Sequence, residues 1–264
     1  MSGQQRIAAA IAAARAESRT ALVPFLTAGY PNRDGFAGTL CSVARLGDVV
    51  EVGVPFSDPM ADGPTIQRSS LGAIANGVSL RWILETLADL GGKLDAPLVL
   101  MSYLNPLLAF GLDDLAGAAA GAGVSGFIVP DLPYEESEPV RRSLAASDLA
   151  LVQLVTPATP RERLAMLCAA SQGFVYAVTV RGITGGADGL PAGIAEYLDR
   201  VKSLAGETPV CAGFGIRSGA DVAAIGRHAD GAVVGSALIE ALERNPDPAP
   251  FLRELRSGQD GGGG

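Results

Sequence analysis

The fold and the candidate site both start from one stretch of the chain, Asp48-Val49-Val50-Glu51-Val52-Gly53-Val54-Pro55-Phe56-Ser57-Asp58-Pro59-Met60-Ala61-Asp62-Gly63-Pro64. Its first half is short, apolar and β-branched, which is typical of a strand buried on both faces of a parallel sheet. Glu51 interrupts this strand near its end. Burying an ionised carboxylate is costly unless it is paired or hydrogen-bonded, and the usual consequence is a raised pKa. We therefore expect Glu51 to be suited to proton transfer near neutral pH.

The second half of the stretch predicts a shaped loop. Three prolines fix φ along it, whereas Gly63 allows unusual dihedral angles. The loop carries two further carboxylates, Asp58 and Asp62. Taken singly, Glu51 could pair with a basic neighbour, and the two aspartates could cap turns or helices. Three acids and three prolines around one strand exit together indicate the edge of an active site.

Composition limits the class of protein. The chain has 264 residues, of which 48% are hydrophobic and 34 are glycine, and this suits one large α/β domain or two small ones with many tight turns. The net charge of −8 and the absence of a basic stripe argue against a nucleic-acid partner. No apolar run is long enough to span a bilayer, so no membrane role is predicted.

Cysteine usage and the N-terminal residues predict a location. Cys41, Cys168 and Cys211 are widely spaced without a C-x-x-C motif, which argues against a disulfide framework or a zinc site. A reducing, cytoplasmic compartment is expected. The N-terminal residues lack the long apolar core of a signal peptide, and Ile7–Ala16 predicts a short opening helix.

Strand-like and helix-like segments alternate from residue 20 onward. The predicted strands are Ala21–Leu26, Val49–Val54, Leu98–Tyr103, Gly126–Pro130, Ala150–Val155, Phe174–Val180, Val210–Phe214 and Gly231–Gly235. The predicted helices are Gly35–Leu46, Thr65–Asn76, Leu80–Leu90, Leu112–Ala122, Glu135–Ser147, Arg161–Ala170, Ala192–Ala205, Ser218–Arg227, Ala237–Arg244 and Pro250–Arg256.

Eight strands, each followed by a helix, predict an α/β fold of the (β/α)8 TIM-barrel class, which typically takes about 250 residues. We expect a single-domain barrel over residues 1–256, with a short N-terminal helix and extra helices after strands 2 and 8. Residues 257–264 predict a flexible glycine-rich tail. An open doubly wound sheet is the alternative, and the count of eight strands makes it less favoured.

In such a barrel the chemistry lies where the strands end. The predicted exits offer Phe25, Glu51, Asn105, Asp131 and Tyr176. Glycine-rich turns follow strands 7 and 8, and each leads into a helix whose N-terminus favours a phosphate. The loop after strand 6 is also rich in glycine and long enough to act as a lid. The alternative is that these glycines only serve tight turns.

Missing residue types narrow the mechanism. The single histidine, His228, precedes strand 8 on the opposite face of the barrel, so no Ser-His or Cys-His pair is available. Lys93 and Lys202 are away from the strand exits, which leaves Schiff-base chemistry without its nucleophile. An all-oxygen, magnesium-like site is conceivable, but no ligand spacing supports it and no metal is predicted. The mechanism that remains is acid-base catalysis by carboxylates on a phosphorylated small molecule.

The strand-2 motif resembles the signature of the tryptophan synthase alpha chain family. The matching run is Glu51-Val52-Gly53-Val54-Pro55-Phe56-Ser57-Asp58-Pro59, continued by Ala61-Asp62-Gly63-Pro64-Thr65-Ile66-Gln67. The resemblance extends from residue 20 to residue 256 through Pro24-Phe25-Leu26-Thr27-Ala28-Gly29, Asn105-Pro106, Pro130-Asp131-Leu132-Pro133, Gly182-Ile183-Thr184-Gly185, Gly213-Phe214-Gly215-Ile216 and Gly235-Ser236.

The resemblance implies a lyase of tryptophan biosynthesis that cleaves indole-3-glycerol phosphate to indole and glyceraldehyde 3-phosphate by a retro-aldol reaction. Glu51 would be the general acid and base, and Asp62 would bind the indole N–H. Phe25 and Tyr176 would pack the indole, although aromatic residues at strand exits are also typical of plain core. The implied phosphate-binding positions are Gly185, Gly215, Gly235 and Ser236, and Thr184 would orient Asp62 from a lid.

The resemblance also implies a partner, a pyridoxal-phosphate-dependent beta chain in an alpha2-beta2 complex, and no cofactor in this chain. Pro55, Asp58 and Asn105 would lie toward that interface, with turn and cap roles as the alternative. The pair Val180-Arg181 departs from relatives that place arginine one position earlier. Two other functions stay open at this point: another phosphate-binding barrel isomerase or synthase, and a regulatory subunit with little activity of its own.

Overall fold

The computed structural model describes residues 1–178, 190–213 and 215–258. Eight parallel strands close into a barrel in the order β1 to β8, and β8 pairs with β1. The strands are β1 Ala21–Thr27, β2 Val50–Gly53, β3 Leu98–Met101, β4 Val124–Ile128, β5 Ala150–Val155, β6 Val175–Val178, β7 Val210–Gly213 and β8 Gly231–Val234. The predicted (β/α)8 barrel is confirmed.

Helices surround this barrel. They are α1 Gly3–Ala16, α2 Phe36–Ala44, α3 Pro64–Ala75, α4 Leu80–Asp89, α5 Leu104–Phe110, α6 Leu112–Gly121, α7 Glu138–Ala145, α8 Arg161–Ala170, α9 Ile194–Ala205, α10 Gly219–Gly226, α11 Ser236–Arg244 and α12 Ala249–Ser257. The predicted opening helix and the extra helices after strands 2 and 8 are confirmed. Within the described ranges, none of the helices has the length and apolar character that crossing a membrane requires.

Helix α1 closes the end of the barrel at which the strands begin. Ile7, Ile11 and Ala14 are fully buried in one cluster with inward-facing strand residues such as Val23 and Val99. Burying an isoleucine side chain contributes roughly 1.5–3 kcal/mol. Ser2 starts the helix with a capping box, which satisfies free N–H groups of its first turn. The bottom of the barrel is therefore filled by packed side chains.

Two local features differ from the sequence-based prediction. Asn105 is predicted at a strand exit, but it lies with Pro106 in the first turn of α5, where a proline is tolerated because its missing N–H needs no partner there. The helix predicted over Glu135–Ser147 is instead a 3-10 turn at Tyr134–Glu136 followed by α7. Pro139, in the first turn of α7, has no N–H to donate to a carbonyl one turn upstream, so the α-helical hydrogen bonding does not continue back into the 3-10 turn.

The C-terminal helix reaches the start of the predicted tail. Helix α12 ends at Ser257, and Gly258 is its C-cap. Residues 259–264 lie outside the described residues, as do residues 179 and 180 at the end of the predicted sixth strand.

Candidate active site

A cavity of about 570 Å³ opens where the strands end. Its volume suits a small molecule. The barrel contributes mainly apolar or small side chains to its wall, namely Phe25, Met101, Leu154, Tyr176, Val178, Gly213 and Val233, together with the carboxyl of Glu51. The rim comes from residues 61–66 after β2, residues 215–217 after β7 and the first turns of α11.

Glu51 lies in this cavity on β2, between Phe25 of β1 and Val99 of β3 in the strand register. Its side chain is almost fully buried, and in the part of the chain that the structure describes neither carboxyl oxygen has a hydrogen-bond partner. Burial, with a smaller contribution from the charge of Asp62, raises the pKa of Glu51 to about 8. The described residues therefore do not form the ion pair with Glu51 that the sequence left open as an alternative. At neutral pH the group is mostly protonated and can donate a proton.

Asp62 is the second carboxyl of the cavity, and its environment differs from that of Glu51. The residue is half-buried on the rim. Burial raises its pKa to about 6, and a hydrogen bond from the Tyr103 hydroxyl to Oδ2, 3.1 Å long, acts in the opposite direction. Asp62 is therefore mostly ionised at neutral pH while Glu51 is mostly protonated. Two carboxyls with separated pKa values can take separate acid and base roles.

Tyr103, directly after β3, is a contact of the site to which sequence analysis assigned no role. Its hydroxyl donates to Asp62 and accepts a 2.9 Å hydrogen bond from the backbone N–H of Ala61. Its ring stacks on Phe56 with 4.9 Å between the ring centroids. One buried phenol therefore holds both the backbone N–H of Ala61 and the carboxylate of Asp62. The only available signal was a tyrosine at the exit of the strand next to β2.

Two aromatic rings stand over glycines of the barrel wall. A Cβ atom at Gly53 would lie 2.5 Å from Cζ of Phe25, and one at Gly213 would lie 2.9 Å from the hydroxyl of Tyr176. Both distances are too short for non-bonded atoms, so glycine is required for these ring positions. Burial raises the pKa of Tyr176 well above its usual value, which keeps it a neutral phenol. The predicted placement of Phe25 and Tyr176 at the cavity agrees with the structure.

The part of the cavity at the start of α11 is suited to an anion. Gly215, Gly235 and Ser236 line it, and Ser236 is the first residue of α11. No described side chain caps the first turn of α11. Helix α10 differs, because Ser218 and Asp221 form a capping box at its start. The free N–H groups and positive dipole end of α11 therefore face the cavity.

Some predicted residues cannot be placed. Thr184, Gly185 and the pair Val180-Arg181 lie outside the described residues. Where the structure does describe the chain, no three His, Cys, Asp or Glu side chains form a group that could hold a metal ion.

The three residues expected at a partner interface differ in exposure. Asp58 is exposed and accepts a 2.5 Å hydrogen bond from the Ser57 hydroxyl, and Asn105 is exposed on α5. Pro55 is buried, so it shapes the loop from below and offers little surface itself. Two large apolar side chains nearby in sequence are exposed, Met60 at 92% and Leu108 at 51%.

Comparison with known proteins identifies the family. The family model described as "Tryptophan synthase alpha chain" matches residues 11–255. The chain belongs to the tryptophan synthase alpha chain family. A tryptophan synthase alpha chain from Nitratidesulfovibrio vulgaris is 43% identical over 94% of this chain and 96% of its own length. The one from Desulfovibrio desulfuricans is 45% identical over 92% and 96%.

Solved structures agree with this assignment. A chain of tryptophan synthase from M. tuberculosis in an aminoacrylate-bound form superimposes with a TM-score of 0.86, at 36% identity over 96% of this chain and 98% of that one. The tryptophan synthase alpha chain from Legionella pneumophila gives a TM-score of 0.87 at 31% identity, over 100% and 99%. As a member of the tryptophan synthase alpha chain family, the chain is a lyase of tryptophan biosynthesis.

Proposed function

We propose that Glu51 and Asp62 carry out the reaction of this family, the retro-aldol cleavage of indole-3-glycerol phosphate to indole and glyceraldehyde 3-phosphate. The observation that carries the proposal is the state of Glu51. Its carboxyl is buried, has no hydrogen-bond partner among the described residues and has a pKa raised to about 8, yet it lines the cavity. Such a group is protonated at neutral pH and available to a bound substrate.

The reaction needs a proton to be moved between two atoms of the substrate. Protonation of ring carbon C3 by Glu51 prepares the bond between C3 and the side chain to break. The electron pair of that bond returns to the ring, the side-chain hydroxyl loses its proton, and the aldehyde forms. The ionised Glu51 accepts the hydroxyl proton and is restored to its starting state. General acid-base catalysis of this kind contributes roughly 10²–10⁴-fold.

Asp62 is proposed to accept a hydrogen bond from the indole N–H. Protonation at C3 places positive charge on the ring nitrogen, and a fixed carboxylate there stabilises that charge as it develops. The hydrogen bond from Tyr103 occupies Oδ2, so Oδ1 is the atom we assign to the indole N–H. The pKa of about 6 leaves Asp62 ionised at neutral pH, as this role requires.

The remaining site residues are proposed to hold the two ends of the substrate. Phe25 and Tyr176, which flank the cavity, would pack the indole ring. Gly215, Gly235 and Ser236 would receive the phosphate, supported by the uncapped start of α11. Thr184 and Gly185 are assigned to the lid and to the phosphate site on the resemblance alone.

We further propose that indole passes to a beta chain in an alpha2-beta2 complex, and that the pyridoxal phosphate of the overall pathway belongs to that partner. Support comes from the exposed Asp58, Asn105, Met60 and Leu108 close to the cavity rim in sequence. Pro55 would contribute by holding the loop shape. Three free cysteines support the proposed cytoplasmic location.

The test is formation of indole from indole-3-glycerol phosphate by the purified chain, alone and with a beta chain. Glu51→Gln keeps the shape of the side chain but removes its titratable proton. We expect kcat to fall by roughly 10²–10⁴-fold. Glu138→Gln, which changes a surface carboxyl on α7, should leave kcat unchanged. A Glu51→Gln chain with nearly full activity would refute the assignment.

A further inference from the structure

The cavity has an unusual balance of charge for a site that accepts a phosphate ester. Among its lining residues that the structure describes, the carboxyl groups are Glu51, Asp62 and Glu240, and the one cationic side chain is Arg217. A phosphate monoester carries about −1.5 to −2 charge at neutral pH. Glu240 lies one turn along α11 from Ser236, so an ionised carboxylate stands near the proposed phosphate position. Like charges at such range weaken binding unless a cation offsets them.

Arg217 and Glu240 form a two-pronged ion pair at this rim. Arg217 Nη1 lies 2.8 Å from Oε2 of Glu240, and Nη2 lies 3.2 Å from Oε1. The hydroxyl of Thr65 donates to Oε1 over 3.2 Å. The hydrogen bond from Arg217 lowers the pKa of Glu240, so the carboxyl is ionised at neutral pH. The pair joins the loop after β7, the start of α3 and helix α11.

The guanidinium remains accessible within this pair. Arg217 is 49% exposed, follows Gly215 by two residues and lines the cavity itself. Arginine presents five N–H donors in a planar fork, and this geometry matches phosphate oxygens. Backbone N–H groups at the start of α11 supply only partial charge. Arg217 can therefore add a full positive charge that no other described side chain lining the cavity supplies.

We propose that Arg217 is a specificity-determining residue that binds the phosphate of the substrate, and that Glu240 limits this affinity by competing for the guanidinium. The inference rests on the proposed function, because it requires a phosphorylated ligand. When the ligand binds, Arg217 exchanges part of its contact with Glu240 for phosphate oxygens. Glu240 thereby opposes binding twice, through its own charge and through its hold on Arg217.

The chain contains a matched pair for comparison. Arg68 of α3 and Glu243 of α11 form a second two-pronged ion pair, with distances of 2.9 and 3.0 Å from Arg68 Nη2 to the two carboxyl oxygens. Arg68 is 52% exposed, so both arginines are similarly hydrated. Neither Arg68 nor Glu243 lines the described part of the cavity. Substitutions in this second pair measure the effect of losing an ion pair on α11 that is away from the proposed phosphate position.

The test is calorimetric titration of the full chain with glycerol 3-phosphate and, separately, with inorganic phosphate. We expect Arg217→Ala to weaken binding about tenfold or more, which is typical for loss of a hydrogen bond to a charged group. Glu240→Gln should tighten binding by several-fold. The double variant should remain weaker than the wild type, because the contact itself is lost. Arg68→Ala and Glu243→Gln should leave both affinities unchanged.

Several outcomes would overturn the inference. Unchanged binding by Arg217→Ala would exclude a contact between Arg217 and the phosphate. Weaker binding by Glu240→Gln would mean that the ion pair only holds Arg217 in place and does not compete with the phosphate. Full recovery in the double variant would mean that Arg217 only neutralises Glu240. In turnover, Arg217→Ala should raise KM and leave kcat nearly unchanged. A wild-type chain that binds neither phosphate ligand removes the phosphate end of the proposed function as well, whereas a wrong variant pattern with normal wild-type binding removes this inference alone.

Discussion

The Tyr103 hydroxyl donates a hydrogen bond to Oδ2 of Asp62 over 3.1 Å, although 41 residues separate the two in sequence. The same hydroxyl accepts from the N–H of Ala61. Asp62 is thus held by a buried group of the barrel rather than by its own loop alone. This contact connects the strand framework to the carboxylate proposed to bind the indole nitrogen.

Removal of that hydroxyl should change the pH dependence of cleavage. The hydrogen bond favours the ionised form of Asp62, so Tyr103→Phe should raise its pKa above about 6. We expect the acidic limb of the kcat/KM profile to move up by about 0.7 pH unit for one hydrogen bond of about 1 kcal/mol. The loss of kcat/KM should be about fivefold well below pH 6 and less than about twofold at pH 7. Tyr134→Phe, on the surface 3-10 turn, is the control. An unmoved acidic limb would exclude this role for Tyr103.

The wild-type profile of kcat/KM should itself be bell-shaped. Activity requires ionised Asp62 and protonated Glu51, whose pKa values are about 6 and about 8. Activity should therefore fall below about pH 6 and above about pH 8. Initial rates of indole formation between pH 5 and pH 9.5 measure both limbs. Glu51→Asp should retain a basic limb, whereas a wild-type rate that is flat from pH 7 to pH 9.5 would contradict the role of Glu51.

Glu51 should lower the stability of the folded chain as pH rises. Its pKa is raised from 4.5 to about 8 on folding, so the folded state binds more protons between these values. Stability from this group is present below about pH 4.5 and is lost as pH rises through about 8. Glu51→Gln should therefore be more stable than the wild type by several kcal/mol at pH 9, and by much less at pH 5.

Chemical denaturation at pH 5, 7 and 9 tests this linkage. The stability difference between Glu51→Gln and the wild type should widen with pH, because the neutral amide has no proton to lose. Glu138→Gln should show no such trend, since that carboxyl is on the surface. A difference that stays constant across the three pH values would mean that Glu51 does not titrate in the folded state.

The glycine beneath Phe25 offers a steric test of the cavity wall. Gly53→Ala places a Cβ atom 2.5 Å from the Phe25 ring, which must move toward the cavity. We expect destabilisation of about 1–3 kcal/mol, as for other overpacked sites, together with a raised KM. Gly117→Ala in α6 is the matched control, because nothing lies within 4 Å of its Cβ position. It should stabilise the helix by about 0.5–1 kcal/mol. Equal effects of the two substitutions would contradict the steric account.

The floor of the barrel should matter for stability and little for catalysis. Ile11 is fully buried in the interior cluster beneath the cavity. Ile11→Ala should lower the free energy of unfolding by about 2–5 kcal/mol and leave kcat within about twofold at temperatures where the variant is folded. Thermal unfolding and indole formation measured on the same sample separate the two effects. A large loss of kcat without a loss of stability would place α1 in the catalytic machinery.

The sequence predicted those parts of the fold and site that depend on the local pattern of apolar and turn residues. Apolar strands with turn residues between them predicted the barrel, and a parallel barrel brings all strand exits together, so Glu51 and the glycines near Gly235 could be placed from sequence. Helix α5 was not among the predicted helices, because Asn105 was assigned to a strand exit; the first turn of a helix tolerates the proline that follows it.

Contacts between distant side chains could not be predicted in the same way. Tyr103 with Asp62 and Arg217 with Glu240 each join elements far apart in the chain, and no spacing rule relates them. Pro55 was expected toward an interface, but its burial depends on how the loop folds back on the barrel. Such pairs follow from three-dimensional packing, which is not encoded in a short window of sequence.

Helix α1 fills the floor of the barrel with Ile7, Ile11 and Ala14. Among the described residues the floor is therefore closed, so the substrate enters and the indole leaves through the opening at the end of the barrel where the strands end. That opening is on the side where Asp62 and its loop stand. A partner subunit bound over this opening would receive the apolar indole before the indole reached bulk water. Transfer of indole would then depend on the closed floor of the barrel as well as on contacts at the open end.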